Sequence, residues 1–102
     1  MGFILEVRLP TEKANELIKA GKFEQMLQSI MSDVKPEAAY LSEMDGARGG
    51  YFVVNLDDAS QIPAVAEPFF FAGATVKIHP VMLPEDLAKG SAALQQAAQK
   101  YG

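Results

Sequence analysis

The chain has 102 residues, of which 49% are hydrophobic and 22% charged, and its formal net charge is −4. These values predict one folded domain over residues 1–102 and exclude a disordered chain. The acidic balance offers no electrostatic footprint for a phosphate backbone, so nucleic acid is not an expected partner. Without cysteine there is neither a disulfide framework nor a thiolate nucleophile.

No segment predicts contact with a membrane. The longest apolar runs, such as Tyr51–Leu56, are far too short to cross a bilayer. The first residues lack a basic start and enter a strand pattern at once, which is unlike a signal peptide. A cytoplasmic protein without a membrane partner is therefore expected.

The first third of the chain predicts a strand and a long helix. Phe3–Leu9 alternates between apolar and polar positions, and Pro10 ends that strand. Thr11 is the expected N-cap of a helix over about residues 12–33, disturbed near Gly21. Pro36 closes this segment because the residue before a proline avoids helical geometry.

A hairpin is predicted next. A weaker strand over residues 37–44 precedes the turn signal Asp45-Gly46, and the loop is expected to run loosely through Gly50. The register of this second strand stays open, so either its odd or its even residues share the face of Tyr51. Arg48 beside a glycine pair indicates either an anion site or simply a flexible hairpin, and the hairpin is favoured.

The second half repeats the pattern of strand, helix and strand. Tyr51–Leu56 is the third strand, and Asp58 with Gln61 forms a capping box for a helix that Pro68 should end or kink. Gly73 is the expected C-terminal cap. The fourth strand covers residues 74–82, where a proline at position 80 favours the edge of the sheet. A last helix begins at Pro84 and carries a narrow apolar stripe.

The order β-α-β-β-α-β plus a helix predicts an α+β, ferredoxin-like fold: a four-stranded antiparallel sheet with both helices on one face and an extra C-terminal helix. The fully apolar rows should lie under the helices. The opposite face is mixed, since it combines apolar residues such as Ile4 and Val53 with charges of both signs. Isolated charges tolerate neither tight burial nor an apolar partner, so this face is expected to close over a partly wet cavity.

The run Tyr-Phe-Val-Val-Asn-Leu-Asp-Asp-Ala-Ser-Gln-Ile, continued by Pro-Phe-Phe-Phe and Val-Lys-Ile-His-Pro, resembles the C-terminal half of muconolactone isomerase-like proteins. It is similar also to small bacterial proteins of the dimeric α+β barrel superfamily. The resemblance covers about residues 49–83 and implies a homodimer whose two sheets enclose a cleft in each subunit. Because the second strand lacks the basic, aromatic-rich approach of the isomerases, no catalytic residue is carried over from them.

Candidate site residues follow from the alternation of the strands. His79 is the one histidine and is the candidate proton carrier, tuned by Glu6 or Lys77; the favoured alternative is a hydrogen-bonded histidine at a dimer seam. Arg8 is expected either to pair with a carboxylate or to hold an anionic ligand. The predicted ligand-binding residues are Arg8, Glu6, Tyr51, Asn55, Lys77 and Tyr40.

The sequence predicts no metal and no cofactor, because one histidine with scattered carboxylates does not supply a transition-metal site. The favoured hypothesis is a dimeric protein that binds a small organic acid or lactone and, if it is an enzyme, isomerises or cyclises it. One alternative is a non-catalytic dimeric module in which the same residues join two sheets. A cofactor-free monooxygenase is a further alternative, although few large residues are available to exclude water.

Overall fold

A computed structural model describes all residues from Met1 to Gly102 and confirms the ferredoxin-like order. The elements are β1 (Gly2–Arg8), α1 (Thr11–Lys19), α2 (Phe23–Val34), β2 (Ala38–Met44), β3 (Ala47–Asn55), α3 (Ile62–Phe71), β4 (Thr75–Pro80), α4 (Pro84–Lys89) and α5 (Ser91–Tyr101). The four strands form one antiparallel sheet in the order β2-β3-β1-β4. The edge position expected for β4 is therefore correct.

The core lies between this sheet and helices α2 and α3. Leu5 and Val7 of the central strand β1 are 0% and 2% exposed, because the apolar half of their alternation points at the helices. Phe52 of β3 and Phe69 of α3 meet at 4.9 Å between ring centroids. The buried cluster consists of Leu5, Val7, Ile30, Val34, Phe52, Val54, Leu56, Val65, Phe69 and Ala74.

The register of β2 is set by its pairing with β3. Tyr40 lies opposite Tyr51, and Ser42 lies opposite Gly49. Since directly paired residues share a face, Tyr40 and Ser42 join the surface that the helices leave open. Leu41, on the helix side, stays 67% exposed because β2 is the edge strand farthest from the core.

The predicted long first helix is wrong, because the structure has two helices in its place. Gly21 adopts a φ of +68°, and the Lys22 N–H donates to the carbonyl oxygen of Leu17 instead of continuing the helix. Thr11 is the first helical residue and not the cap; Pro10 occupies the cap position, with no side-chain capping bond.

The expected loose hairpin is also wrong, since the turn is only two residues long. Asp45 and Gly46 have φ values of +50° and +81°, as a tight hairpin turn requires, and β3 begins at Ala47. Gly49 and Gly50 therefore lie within the ladder. A Cβ at Gly49 would overlap the carbonyl oxygen of Val7, and one at Gly50 would lie 2.6 Å from the carbonyl oxygen of Tyr40. Close backbone approach, rather than flexibility, explains this glycine pair.

Helix α3 continues through Pro68, against expectation. The last turn is held by the burial of Phe69, which is 2% exposed, so packing outweighs the loss of one backbone donor. The ends of the segment agree with the sequence. Asp58 accepts from the Ser60 N–H at 2.8 Å, the Gln61 side chain accepts from the Asp58 N–H, and Gly73 closes the helix with a φ of +85°.

The C-terminal segment forms two helices, α4 and α5, which we call the arm (residues 84–102). The arm begins at Pro84 as predicted but breaks at Gly90. Its apolar stripe is open to solvent, since Leu87, Leu94 and Tyr101 are 52%, 56% and 79% exposed. Neither these helices nor the others are long and apolar enough to span a bilayer.

Candidate functional site

The candidate site lies on the sheet face that carries no helix, which we call the open face. Its centre is a row of paired residues running across all four strands. Tyr40 of β2 pairs with Tyr51 of β3, Tyr51 with Glu6 of β1, and Glu6 with Lys77 of β4. Directly opposed side chains have Cβ atoms about 5 Å apart, so this row forms a continuous polar and aromatic strip.

A depression of about 250 Å³ occupies one end of the open face. Its lining is mostly polar: Glu6, Arg8, Glu43, Met44, Asp45, Tyr51, Thr75 and Lys77. Four of the predicted ligand-binding residues, namely Glu6, Arg8, Tyr51 and Lys77, therefore meet in one place. The depression is wide open in a single chain.

Glu6 is the residue that connects the depression to the histidine. The His79 Nε2 and Glu6 Oε2 atoms lie 2.7 Å apart, diagonally across the β1–β4 pair. His79 itself does not line the depression, and its side chain is 51% exposed against 28% for Glu6. The structure thus places Glu6 between the histidine and the depression.

The two cations of the depression have no carboxylate partner. The contact between His79 and Glu6 is the one ion pair of the chain, so neither Arg8 nor Lys77 has an acidic oxygen within 4.0 Å. The Arg8 Nε donates to the carbonyl oxygen of Met44 at 3.3 Å, which holds the guanidinium against the hairpin. Its terminal nitrogens keep their hydrogen-bonding capacity. The sequence predicts that Arg8 either pairs with a carboxylate or holds an anionic ligand. The first alternative is not observed, since Arg8 pairs with neither Glu6 nor Glu43.

Two other predicted residues lie outside the depression. Asn55 is at the far end of β3, where its Oδ1 accepts from the N-terminal ammonium of Met1 at 2.8 Å. Tyr40 stands beside Tyr51 and is 62% exposed, but it does not reach the lining. Both share the open face, while only Tyr40 is free to contact a molecule that extends past Tyr51.

The hairpin supplies three lining residues outside the predicted ligand-binding set, namely Glu43, Met44 and Asp45. Glu43 belongs by alternation to the helix side, yet it bends back at the turn, where its Oε2 accepts from the Gly46 N–H at 2.9 Å. Met44 shares the face of Tyr40 and Ser42 by alternation, and Asp45 reaches the depression from the turn. A tight two-residue turn twists the strands strongly, and only the knowledge that the turn was tight would have revealed this.

Metal-ligating residues do not cluster on this face or elsewhere. No group of three or more His, Asp or Glu side chains is placed to hold a metal ion. The clearest electrostatic effect in the chain is remote from the depression. Backbone and side-chain hydrogen bonds from Ser60 lower the pKa of Asp58, as befits a helix-capping carboxylate.

Comparisons with known proteins bear on the fold. The sequence profile described as "Domain of unknown function (DUF3303)" matches residues 1–95. A search of curated proteins finds no match. Among solved structures, the chain is similar to 5-chloro-2-hydroxyhydroquinone dehydrochlorinase (TftG) from Burkholderia phenoliruptrix AC1100, in complex with 2,5-dihydroxybenzoquinone.

That similarity has a TM-score of 0.60 at 12% identity and covers 84% of this chain and 98% of TftG. At such low identity it supports the α+β fold alone. The predicted resemblance to muconolactone isomerase-like proteins is not confirmed and stays a prediction.

Proposed function

The chain belongs to the DUF3303 family, and we propose that its open face binds a small organic anion in the depression between Glu6, Arg8 and Lys77. The observation that carries this proposal is the pair of cations, Arg8 and Lys77, which line one depression without a carboxylate partner. A guanidinium held by one bond to a backbone carbonyl is oriented and still able to bind an acidic oxygen through its terminal nitrogens.

The acidic residues of the lining narrow the ligand class. Glu6, Glu43 and Asp45 outnumber the two cations, so a ligand that is only an anion would meet repulsion as well as attraction. A ring that presents an acidic oxygen to Arg8 and a hydroxyl group to a carboxylate satisfies both. Hydroxylated quinones, aromatic hydroxy acids, and lactones that carry both a carboxylate and a hydroxyl group have this character.

The size and openness of the depression support a homodimer. A pocket that encloses a small molecule usually has a volume of roughly 300–1,000 Å³ and buries most of the ligand. The depression has about 250 Å³ and is open on one side, so a second sheet laid over it would complete the enclosure. Half-buried Ile4 and Val53, with exposed Tyr51 and Tyr40, give that second sheet apolar contacts.

The chemistry that the site favours is proton transfer next to a carbonyl group. Glu6 faces the ligand and would accept or donate the proton, while His79 holds its carboxylate from behind and is a positioning residue. Arg8 or Lys77 would stabilise the oxygen on which negative charge develops. Isomerisation or ring closure of a small organic acid or lactone uses these steps and no further group.

The binding test is a calorimetric titration with 2,5-dihydroxybenzoquinone, whose hydroxyl groups are vinylogous acids. We expect Arg8→Gln to weaken binding by about tenfold or more, since one charge-assisted hydrogen bond contributes about 1.5–3 kcal/mol. Lys19→Gln is the control, because Lys19 is an exposed cation of α1 that does not line the depression. Equal effects of the two substitutions, or no heat of binding at all, would refute the proposed ligand site.

Sedimentation equilibrium tests the assembly. We expect a dimer at micromolar concentration. If His79→Ala dissociates that dimer and leaves ligand binding intact, the alternative of a non-catalytic module joined through these residues is supported instead. If the chain sediments as a monomer and still binds the ligand, the dimer is not part of the site.

A further inference from the structure

The second cavity of interest lies on the helix side of the sheet, between α2 and the β2–β3 hairpin. It has a volume of about 180 Å³, and its surface is almost entirely apolar. Gly50 of β3 forms part of the floor of the cavity. In the row Leu41, Gly50, Val7, the glycine has no side chain, so the floor there is backbone bordered by the ring of Phe52.

The walls come from residues that the core does not fully absorb. Phe23 and Leu27 of α2 are only half-buried, and Leu41 of the edge strand is largely exposed. The rings of Phe52 and Phe69 close the inner end. A pocket lined by such side chains favours the apolar part of a ligand; an engineered apolar cavity of about 150 Å³ binds benzene.

Arg48 lies at the mouth of this cavity and places one positive charge there. Its Nη1 donates to the Asn15 Oδ1 at 2.8 Å, and no carboxylate lies within 4.0 Å. An arginine has five N–H donors, so most of them face solvent at the cavity mouth. An apolar chamber with one cation at its entrance is complementary to an amphipathic carboxylate.

We propose that this cavity is a second binding site, for a small carboxylic acid whose apolar part is one ring or a short acyl chain. The apolar part lies over Gly50 against Leu27 and Phe52, and the carboxylate accepts hydrogen bonds from Arg48. The site is separate from the open face, because the sheet lies between the two. It therefore assigns a function to Arg48, which the open face does not use.

Phenylacetate is the probe, titrated into the full chain while the methyl resonances of Leu27, Ile30 and Leu41 are followed by NMR. We expect saturable shifts of these methyl groups. Arg48→Gln should weaken phenylacetate binding by about tenfold, as expected for the loss of a charge-assisted hydrogen bond. Toluene, which has the ring without the carboxylate, should bind the wild-type chain and the Arg48→Gln variant equally.

A second variant tests the apolar part of the site. Leu27→Phe places a larger ring in the cavity and should abolish the binding of both phenylacetate and toluene. Should that variant not fold, the comparison of Arg48→Gln with wild type decides alone, because Arg48 is exposed and outside the core. An affinity for phenylacetate unchanged by Arg48→Gln would overturn the proposal.

The experiments can refute either of the two proposed sites without refuting the other. If phenylacetate bound on the open face, Arg8→Gln would weaken its binding and the methyl groups of α2 would not shift. That result would overturn the second site alone. Saturable shifts of the α2 methyl groups together with no binding of 2,5-dihydroxybenzoquinone would support the second site and refute the open-face ligand. An absence of saturable shifts at millimolar phenylacetate would also overturn the second site.

Discussion

Glu6 and His79 lie 2.7 Å apart across neighbouring strands, with the carboxylate facing the depression and the imidazole behind it. The pair is half-exposed, so its contribution to stability is screened by solvent and should be small. We expect a double-mutant cycle with Glu6→Gln and His79→Leu to give a coupling energy below about 1 kcal/mol in the free energy of unfolding.

Urea unfolding of the wild type, the two single variants and the double variant measures this coupling. A coupling of several kcal/mol would mean that the pair is a principal support of the sheet.

Gly49 is predicted to be the least replaceable glycine of the sheet. A Cβ at this position would overlap the carbonyl oxygen of Val7 on the neighbouring strand, and backbone atoms cannot move aside without breaking the β1–β3 ladder. We expect Gly49→Ala to lower the free energy of unfolding by about 2 kcal/mol or more.

Gly90→Ala is the matched control for that substitution. Gly90 has a φ of −90°, and the nearest atom to an added Cβ lies 3.6 Å away, so alanine fits and restricts the unfolded chain. Its free energy of unfolding should equal or exceed that of the wild type. Chemical denaturation of the two variants checks both statements, and equal destabilisation would contradict them.

Phe69 and Phe71 stand at the two ends of a run of three phenylalanines and have opposite environments. Phe69 is 2% exposed and contacts Phe52, whereas Phe71 is 83% exposed. We expect Phe69→Ala to lower the free energy of unfolding by about 3–5 kcal/mol. Phe71→Ala should change it by less than about 0.5 kcal/mol in the isolated chain. A large loss from Phe71→Ala at dimer-forming concentrations would instead place that ring in a subunit contact.

The capping carboxylate of Asp58 predicts a pH dependence with a definite sign. Hydrogen bonds from Ser60 lower the pKa of Asp58 in the folded chain. The stabilisation is therefore complete above the ordinary carboxyl pKa of about 3.9 and is lost as the pH falls through the lower folded value. Asp58→Ala should lower the melting temperature at pH 7 and lose this effect in strong acid.

Asp58→Asn separates capping from charge. Asparagine keeps the capping oxygen but carries no charge, so the melting temperature of this variant at pH 7 should lie between those of Asp58→Ala and the wild type. Melting curves between pH 2 and pH 7 make the comparison. A difference between wild type and Asp58→Ala that persists unchanged to pH 2 would contradict the role of the ionised carboxylate.

The fold could be predicted because strands and caps are local signals. The alternation of β1 and β3 fixed which residues face the helices, and the pair of Asp58 and Gln61 marked the 3₁₀ turn (residues 59–61) that leads into α3. The continuation of α3 through Pro68 could not be predicted, since it depends on the burial of Phe69 against a strand distant in sequence.

The site could be predicted only in part for a similar reason. Glu6, Arg8, Tyr51 and Lys77 meet because they share one face of the sheet, which alternation reveals. The lining by Glu43 and Asp45 depends on a tight turn, and the position of Asn55 depends on a bond to the chain terminus. The ligand-binding roles of Glu6, Arg8, Tyr51 and Lys77 stay predictions.

The arm is predicted to be dispensable for the stability of the sheet domain in a single chain. Its helices contact each other and leave their apolar stripe in solvent, so their removal takes nothing from the core. We expect a chain ending at Leu83 to keep the melting temperature of the full chain within a few degrees. A lower melting temperature that depends on protein concentration would show that the arm stabilises an assembly.

The arm also sets the length of the molecule. The radius of gyration is 17.4 Å and the longest extent is 59 Å, whereas a compact chain of this size has a radius of gyration of about 13 Å. Small-angle scattering is therefore unusually informative for so small a protein. The position of nineteen residues can be read from one curve, since an arm that folds back, projects or lies along a neighbour gives three different particle lengths.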